Sequence, residues 1–282
     1  MMSERTGLRA FGTESGLPGL VVVDFDDTLT VGDTIARITA LREGKVEGNE
    51  EKNEYRDALD AVVTAYLKDK KRLEGTQFPS LSAMLDAAST TEHNSIDRVE
   101  SSEILKGLTR SELVELGQNI KLQDNVQRFL EAAEEKRVAV HVISANWSRD
   151  LIKGALLKYK SVQTITSSDL TFDSDGISTG KINRVVVSSF DKLEAFSYLR
   201  RNTPTISGRR AAVYIGDGLP DALPIIEADV GIVIGGSESL LKAIDVATVT
   251  NYRLCRLMDI DVDKEQAEMA HLLNNHVIFD AG

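Results

Sequence analysis

Leu20-Val21-Val22-Val23-Asp24-Phe25-Asp26-Asp27-Thr28 sets four apolar residues directly before three carboxylates and a hydroxyl. A short continuous apolar run reads as a strand buried on both faces, the habit of parallel sheets. Its polar tail then falls at the strand's carboxyl end, where open parallel sheets bind ligands. Working outward, three similar runs follow at 138–143, 211–215 and 230–234. Amphipathic helical patterns lie between them at 125–136, 149–159, 192–200 and 221–228. Strand–helix alternation of this kind predicts an α/β fold with a doubly wound parallel sheet.

One stretch breaks the alternation. From Asp33 to Leu122 the pattern is helical, with no strand expected. Leu59, Val62, Val63, Tyr66 and Leu67 recur at helical spacing, as do Leu81, Met84 and Leu85, then Leu113 and Leu116. The expected organisation is a core of residues 1–32 and 123–282 and a helical subdomain of residues 33–122 inserted after the first strand. A smaller insertion at 169–187 reads as a hairpin turning at Asp173-Ser174-Asp175-Gly176.

The chain has 282 residues, with 33 Lys and Arg against 44 Asp and Glu, a formal net charge of −11. That balance argues against a nucleic-acid grip and against attraction to an anionic membrane. The single cysteine, Cys255, excludes an intrachain disulfide framework and fits a reducing compartment. No apolar run approaches the ~20 residues of a membrane span. The first twenty residues lack the apolar core of a secretory signal and read as a mobile lead-in. A cytoplasmic protein is expected, an organellar leader being the weaker alternative. The oligomeric state is left open.

The residues after each strand carry the chemistry. Asp24-Phe25-Asp26-Asp27-Thr28 follows the first, Ser144-Ala145-Asn146-Trp147-Ser148 the second, and Gly216-Asp217-Gly218-Leu219-Pro220-Asp221 the third. Asp24, Asp26, Asp217 and Asp221 would meet in one crevice. Unpaired carboxylates repel, and their burial is costly unless a cation joins them. A hard divalent cation held by carboxylates, water and substrate phosphate is the Mg²⁺ habit. An aspartate beside it, within reach of a phosphate, suggests covalent catalysis through an aspartyl phosphate, with the aspartate two residues on as acid and base. Rival motifs fail. Gly216-Asp217-Gly218 has Asp221 where a dinucleotide fingerprint needs its third glycine, and Lys45 and Lys181 lack the following Ser or Thr of a P-loop. Read as a calcium loop, Asp24 onward has Leu29 where glycine is required.

These residues resemble the four motifs of the haloacid-dehalogenase-like phosphatases: Asp24-x-Asp26-x-Thr28, Ser144, Lys192, and Gly216-Asp217-Gly218-x-x-Asp221. The resemblance implies Asp24 as nucleophile and Asp26 as general acid and base. It implies Thr28, Ser144, Lys192 and the amides of Ala145 and Asn146 around the phosphoryl group. Mg²⁺ would be held by Asp24, the Asp26 carbonyl and Asp217, with Asp221 nearby or bound through water. The helical insertion stands where that family places its cap. A narrower resemblance, to the phosphatase half of plant bifunctional thiamin-monophosphate phosphatases, rests on Glu103-Ile104-Leu105-Lys106-Gly107-Leu108, Leu122-Gln123-Asp124, Ile177-Ser178-Thr179-Gly180 and the run from Glu227 to Gly235. It implies a small phosphorylated metabolite as substrate, thiamin monophosphate first.

Each residue also has a plainer reading. Asp217 and Asp221 can cap the following helix, and so can Ser144. Lys181 is the rival of Lys192. Asp33 can cap the first inserted helix or face a substrate cation. Trp147 can be a buried anchor or stack on a cationic ring. His141 reads as structural and Cys255 as without a role. Three other functions stay open: a phosphomutase, a dehalogenase (against which Asp26 and Asp217 speak) and a catalytically silent binding protein.

Overall fold

The computed structural model describes residues 17–203, 211–235 and 237–247, and the backbone alone of 253–256 and 277–280. The lead-in at 1–16 and the Cys255 side chain lie outside the described residues.

Strand β1 (Leu20–Val23) is followed by α1 (Ile35–Gly44), α2 (Asn49–Glu74), α3 (Leu81–Ser102), β2 (Lys106–Thr109), α4 (Arg110–Gln118) and α5 (Val126–Glu135). Next come β3 (Val140–Ser144), α6 (Arg149–Leu156), β4 (Val162–Ser167), β5 (Asp169–Phe172), β6 (Ile177–Asn183) and α7 (Ser189–Asn202). The chain continues through β7 (Ala212–Gly216), a 3-10 turn (Leu219–Asp221), α8 (Ala222–Glu227), β8 (Val230–Val233), α9 (Glu238–Ala247), β9 (Arg253–Arg256) and β10 (Val277–Asp280).

Seven strands form one sheet in the order β4-β3-β1-β7-β8-β10-β9. Every pair in it is parallel. Successive side chains of a strand point to opposite faces, and the core divides accordingly. Val21, Val23, Val140 and Val142 join Leu130 of α5 and Leu151 of α6 on one face. Leu20, Val22 and Tyr214 join Phe196 of α7, Ile225 of α8 and Leu240 of α9 on the other. The doubly wound expectation is met. The chain runs outward from β1 to β3 and β4, then crosses to β7 on the opposite side. The order reverses at β1, so the carboxyl ends of β1, β3 and β7 frame the crevice of a topological switch point.

The insertion departs from expectation. It contains a strand: β2 pairs antiparallel with β6, which pairs with β5, giving a separate three-stranded sheet. Four residues, of which only Leu108 is buried, carry no alternation for sequence reading to detect. Register comes from a distant residue: Ser178 Oγ donates to the Leu105 carbonyl at 2.6 Å and accepts from the Leu108 amide at 2.8 Å. The hairpin turn falls at 173–176 as expected, with Asp173 Oδ1 accepting from the amides of Asp175 and Ile177. The apolar stripe of α2 also splits. Val62 is buried and Leu59 packs on the core, whereas Val63 and Leu67 face solvent.

The insertion leaves and rejoins the core side by side. Thr30 bridges Leu122, the Val31 amide donates to the Lys121 carbonyl, and the Gln123 amide donates to that of Leu29. Leu81, Met84, Leu85 and Ala88 of α3 pack into the second apolar cluster, and α3 touches α9.

Helix α4 lies inside 33–122 yet packs on α6, and glycines allow the close crossing. A Cβ at Gly117 would lie 2.1 Å from the Leu151 carbonyl oxygen, and one at Gly154 would lie 2.1 Å from that of Val114. Backbone cannot retreat as a side-chain tip can, so Gly154→Ala is expected to cost about 3 kcal/mol. A lowered urea midpoint checks this; an unchanged midpoint would contradict the crossing.

Candidate active site

Asp24 is the first residue past β1, and its amide donates to the Ile215 carbonyl of β7 at 2.9 Å. Phe25 is fully buried in the first cluster. The next turn closes through the amides of Leu29 and Thr30 on the Phe25 carbonyl, with Asp27 at φ 56°.

Lys192 holds the centre. Its side chain is 1% exposed, and Nζ lies 2.9 Å from Asp24 Oδ2 and 2.7 Å from Asp221 Oδ1. It is the fourth residue of α7, a helix opened by a Ser188–Asp191 capping box. The helix begins at Ser189, so Lys192 does not open it as its predicted start implied. Burial alone would lower the lysine's pKa, but Asp221 and then Asp24 outweigh it and raise it, keeping the ammonium charged. Lys181, its rival, is exposed on β6 and donates to the Glu100 carbonyl. It has no part in the crevice.

Asp221 is fully buried. Its Oδ1 also accepts from Tyr214 Oη at 2.8 Å, and its Oδ2 accepts from the Gly218 amide at 3.2 Å. A Cβ at Gly216 would lie 2.4 Å from Asp221 Cγ, so only glycine admits the carboxylate here. Asp217 Oδ1 accepts from the Thr28 hydroxyl at 2.8 Å. Burial, then Asp221, pushes the Asp217 carboxyl up to about 6. Burial, then Asp221, also raises Asp24 well above the carboxylate range, Lys192 opposing.

Asp26 sits beside this group, held by three donors. Its Oδ1 accepts from the Thr34 amide at 2.8 Å and the Thr34 hydroxyl at 2.7 Å, and its Oδ2 accepts from Asn146 Nδ2 at 2.8 Å. Asn146 Oδ1 accepts from the Ser148 amide, so this one side chain ties the loop after β3 to the loop after β1. Ser144 is 1% exposed and its Oγ accepts from the Asn146 amide at 3.1 Å. The cap of α6 is Ser148, which disposes of the cap reading for Ser144. Ala145 is half-buried between them.

Two residues lie at the edge. Trp147 is half-buried and packs against the first apolar cluster, the contact of an anchor. Asp33 stands at the mouth of the crevice, open to solvent, and its Oδ1 accepts from the Ile35 amide at 2.6 Å in the first turn of α1. The protein packed around it, and then Asp26, pushes its carboxyl up to about 6, a shift that solvent at the mouth moderates. His141 in β3 bonds Thr164 through Nδ1 at 2.7 Å, as a structural histidine.

Sequence reading missed Thr34, Tyr214 and the side-chain role of Asn146. Tyr214 had a signal: a tyrosine in a buried strand needs a partner for its hydroxyl. Thr34 had none, since its bond to Asp26 exists only once the turn has folded.

Two carboxylates, Asp24 and Asp221, thus flank one ammonium, with Asp217 beside them. Oxygens of Asp24, Asp217 and Asp221 lie within 4.8 Å of one another, and Asp24 Oδ1 is buried with no hydrogen-bond partner. An all-oxygen donor set with excess negative charge fits a hard divalent cation. A pH dependence follows. Asp217 has an ordinary value of 3.8 and is pushed up to about 6. Its folded-state pKa is raised, so its contribution to stability is complete below 3.8 and lost as pH rises through about 6. Mg²⁺ relieves that loss and is expected to raise the melting temperature more at about pH 7 than at about pH 5. Equal shifts at both would contradict the site.

Comparison with known proteins agrees with this geometry. No family model matches the chain. The Arabidopsis thaliana protein named Bifunctional TH2 protein, mitochondrial, is 29% identical over 252 residues, covering 79% of this chain and 40% of that one. The chain thus spans well under two thirds of that relative's length. A CTO1 family protein of Schizosaccharomyces pombe is 29% identical over 217 residues, covering 72% of this chain and 76% of that one. A solved phosphoserine phosphatase, captured as a phospho-aspartyl intermediate analogue, superposes with TM-score 0.53 at 18% identity, covering 81% of this chain and 91% of that one. The fold of this chain is thus similar to that of a solved phosphoserine phosphatase and of a solved HAD family hydrolase.

Proposed function

We propose that the protein is a divalent-cation-dependent phosphomonoesterase in which Asp24 attacks phosphorus. What carries this reading is the buried Asp24–Lys192–Asp221 chain beside Asp217, at the switch point of a parallel sheet. Asp24, Asp217 and Asp221 would hold Mg²⁺, with the Asp26 carbonyl. When bound, the ion supplies charge neutralisation for the phosphoryl oxygens.

The chain's own residues do the rest. Lys192 fixes the Asp24 carboxylate and offers positive charge to the phosphoryl group. The Ser144 hydroxyl and the Ala145 amide bind that group at the start of the loop after β3, the Asn146 amide being held on Ser144 Oγ. The Thr28 hydroxyl is already committed to Asp217, so Thr28 acts by positioning that carboxylate. Asp24 forms a bond to phosphorus as the ester P–O bond breaks. Asp26, protonated, gives its proton to the leaving alkoxide. It then takes a proton from the water whose oxygen attacks the aspartyl phosphate, releasing phosphate and restoring both aspartates. Thr34 and Asn146 keep Asp26 aimed for both transfers. The helical insertion over the crevice excludes other water.

Among small phosphorylated metabolites, thiamin monophosphate is the proposed substrate. The four sequence runs shared with plant bifunctional thiamin-monophosphate phosphatases support it, as does the match to the Arabidopsis protein. No helix among the described residues is long and apolar enough to cross a membrane. A cytoplasmic site of action is proposed, although the Arabidopsis relative's name places that protein in the mitochondrion.

The test is phosphate release from a panel of monophosphates with and without Mg²⁺. Metal-dependent release, highest with thiamin monophosphate, is expected. Even release across the panel would discard the thiamin reading. Transfer of phosphate between substrate hydroxyls without release would make the protein a mutase.

A further inference from the structure

The site holds one hydroxyl that the proposed reaction does not use. Tyr214 lies in β7, in register with Val22 of β1, and is fully buried. Its Oη donates to Asp221 Oδ1 at 2.8 Å, the same oxygen that accepts from Lys192 Nζ at 2.7 Å. Its ring stands edge-on to Phe196, with centroids 5.5 Å apart and planes at 87°. Phe196 is one helical turn past Lys192 on α7, so the two share a face of that helix. One tyrosine thus packs against the helix that carries the lysine and bonds the carboxylate that holds it. Packing alone asks for no hydroxyl, since phenylalanine would fill the same space.

The hydroxyl bears on how one ammonium is divided between two carboxylates. Lys192 Nζ lies 2.7 Å from Asp221 Oδ1 and 2.9 Å from Asp24 Oδ2. An ammonium has three N–H donors, and among the described residues only these two oxygens accept from it. One N–H is left for a phosphoryl oxygen. The Asp221 carboxylate also meets the Tyr214 hydroxyl and, through Oδ2, the Gly218 amide at 3.2 Å. The Asp24 carboxylate has Lys192 alone, and its Oδ1 has no hydrogen-bond partner. Charge-assisted bonds are the strong ones, and the closer carboxylate competes for the ammonium. Two donors on one oxygen share its charge, so each is held less tightly than it would be alone.

We propose that Tyr214 is a positioning residue for phosphoryl transfer: its hydroxyl answers part of the Asp221 charge, so that Lys192 stays shared with Asp24 and keeps one N–H for the phosphoryl group. Without that hydroxyl the ammonium moves toward Asp221. The loss is largest when negative charge builds on the phosphoryl oxygens in the transition state. The inference rests on the phosphomonoesterase reading and adds to it a residue that acts through Asp221 and Lys192.

The experiment compares the wild-type protein with Tyr214→Phe, which removes one oxygen and keeps the ring. Calorimetry at saturating Mg²⁺ measures the binding of orthovanadate, whose five-coordinate adduct resembles the transition state, and of inorganic phosphate, which resembles the product. Tyr214→Phe is expected to weaken orthovanadate about tenfold and phosphate by no more than about twofold. It should lower kcat about tenfold with little change in KM. In an Asp221→Asn background the same substitution should have no further effect, since the hydroxyl acts through that carboxylate. A merely structural role would lower the melting temperature and weaken both ligands alike. If Tyr214→Phe does not fold, Tyr214→Met removes the same hydroxyl with a chain that adapts to the space. Orthovanadate held as tightly by the variant as by the wild-type protein, equal loss for both ligands, an undiminished effect in the Asp221→Asn background, or failure of both variants to fold overturns the role of Tyr214. A wild-type protein that releases no phosphate from any monophosphate overturns the phosphatase reading instead, whatever the variants bind.

Discussion

Asp24→Asn is expected to abolish phosphate release while leaving the protein folded and, without metal, at least as stable. The loss of turnover should be about 10⁴-fold or more, the scale on which removal of a nucleophile acts. The stability effect follows from burial. The Asp24 carboxyl is raised well above its ordinary 3.8, mainly by desolvation and then by Asp221. Its proton is therefore held more tightly in the folded chain. The stability it contributes is present below 3.8 and is lost as pH rises through the raised folded value. Asparagine imitates the protonated form at every pH, so the variant keeps at neutral pH what the wild-type protein loses. Lys192 retains Asp221 at 2.7 Å, so its ammonium is not left alone. Melting curves of metal-free protein at neutral pH check the point. A large drop in melting temperature would mean that the Asp24–Lys192 pair is a net stabiliser, contrary to this account.

Lys192→Met should do the opposite. The ammonium is the shared counter-charge of Asp24 and Asp221, which are themselves buried. Removing one partner of a buried ion pair leaves uncompensated charge and costs about 3–5 kcal/mol. The loss should shrink at low pH, where the carboxylates are neutral, and should shrink with Mg²⁺, which replaces the missing charge. Urea midpoints with and without Mg²⁺ measure it. An unchanged midpoint in metal-free protein would show that Lys192 does not neutralise the site. Together the two variants act on one 2.9 Å ion pair with opposite signs. That contrast separates a site built for an added cation from an ordinary buried salt bridge.

The sheet and the site were legible in the sequence to different depths. Buried parallel strands need continuous β-branched runs, so Leu20–Val23 and the runs before Ser144 and Gly216 stood out. The candidate site residues follow those strands directly, because the switch point gathers strand ends and little else. What was not legible depends on contacts between distant segments. Strand β2 has one buried side chain and takes its register from Ser178, seventy residues away by sequence from Leu108. The Asn146–Asp26 bond spans a separation of 120 residues. The start of α7 was misplaced although Ser188 and Asp191 form a capping box, a signal available in the sequence. Tyr66 was read as part of an apolar stripe. Its ring fits that pattern, but its hydroxyl is bound to Glu92 on another helix, which periodicity cannot register.

In the proposed reaction Asp24 carries the phosphoryl group between ester and water. The most direct measurement is acid quenching of the wild-type protein during turnover with Mg²⁺ and a labelled monophosphate, followed by peptide mapping. A hydroxylamine-labile phosphoryl adduct on the peptide containing Asp24, absent from Asp24→Asn, is the predicted result. Phosphate release by an Asp24→Asn protein, or turnover with the adduct on a different residue, would contradict it.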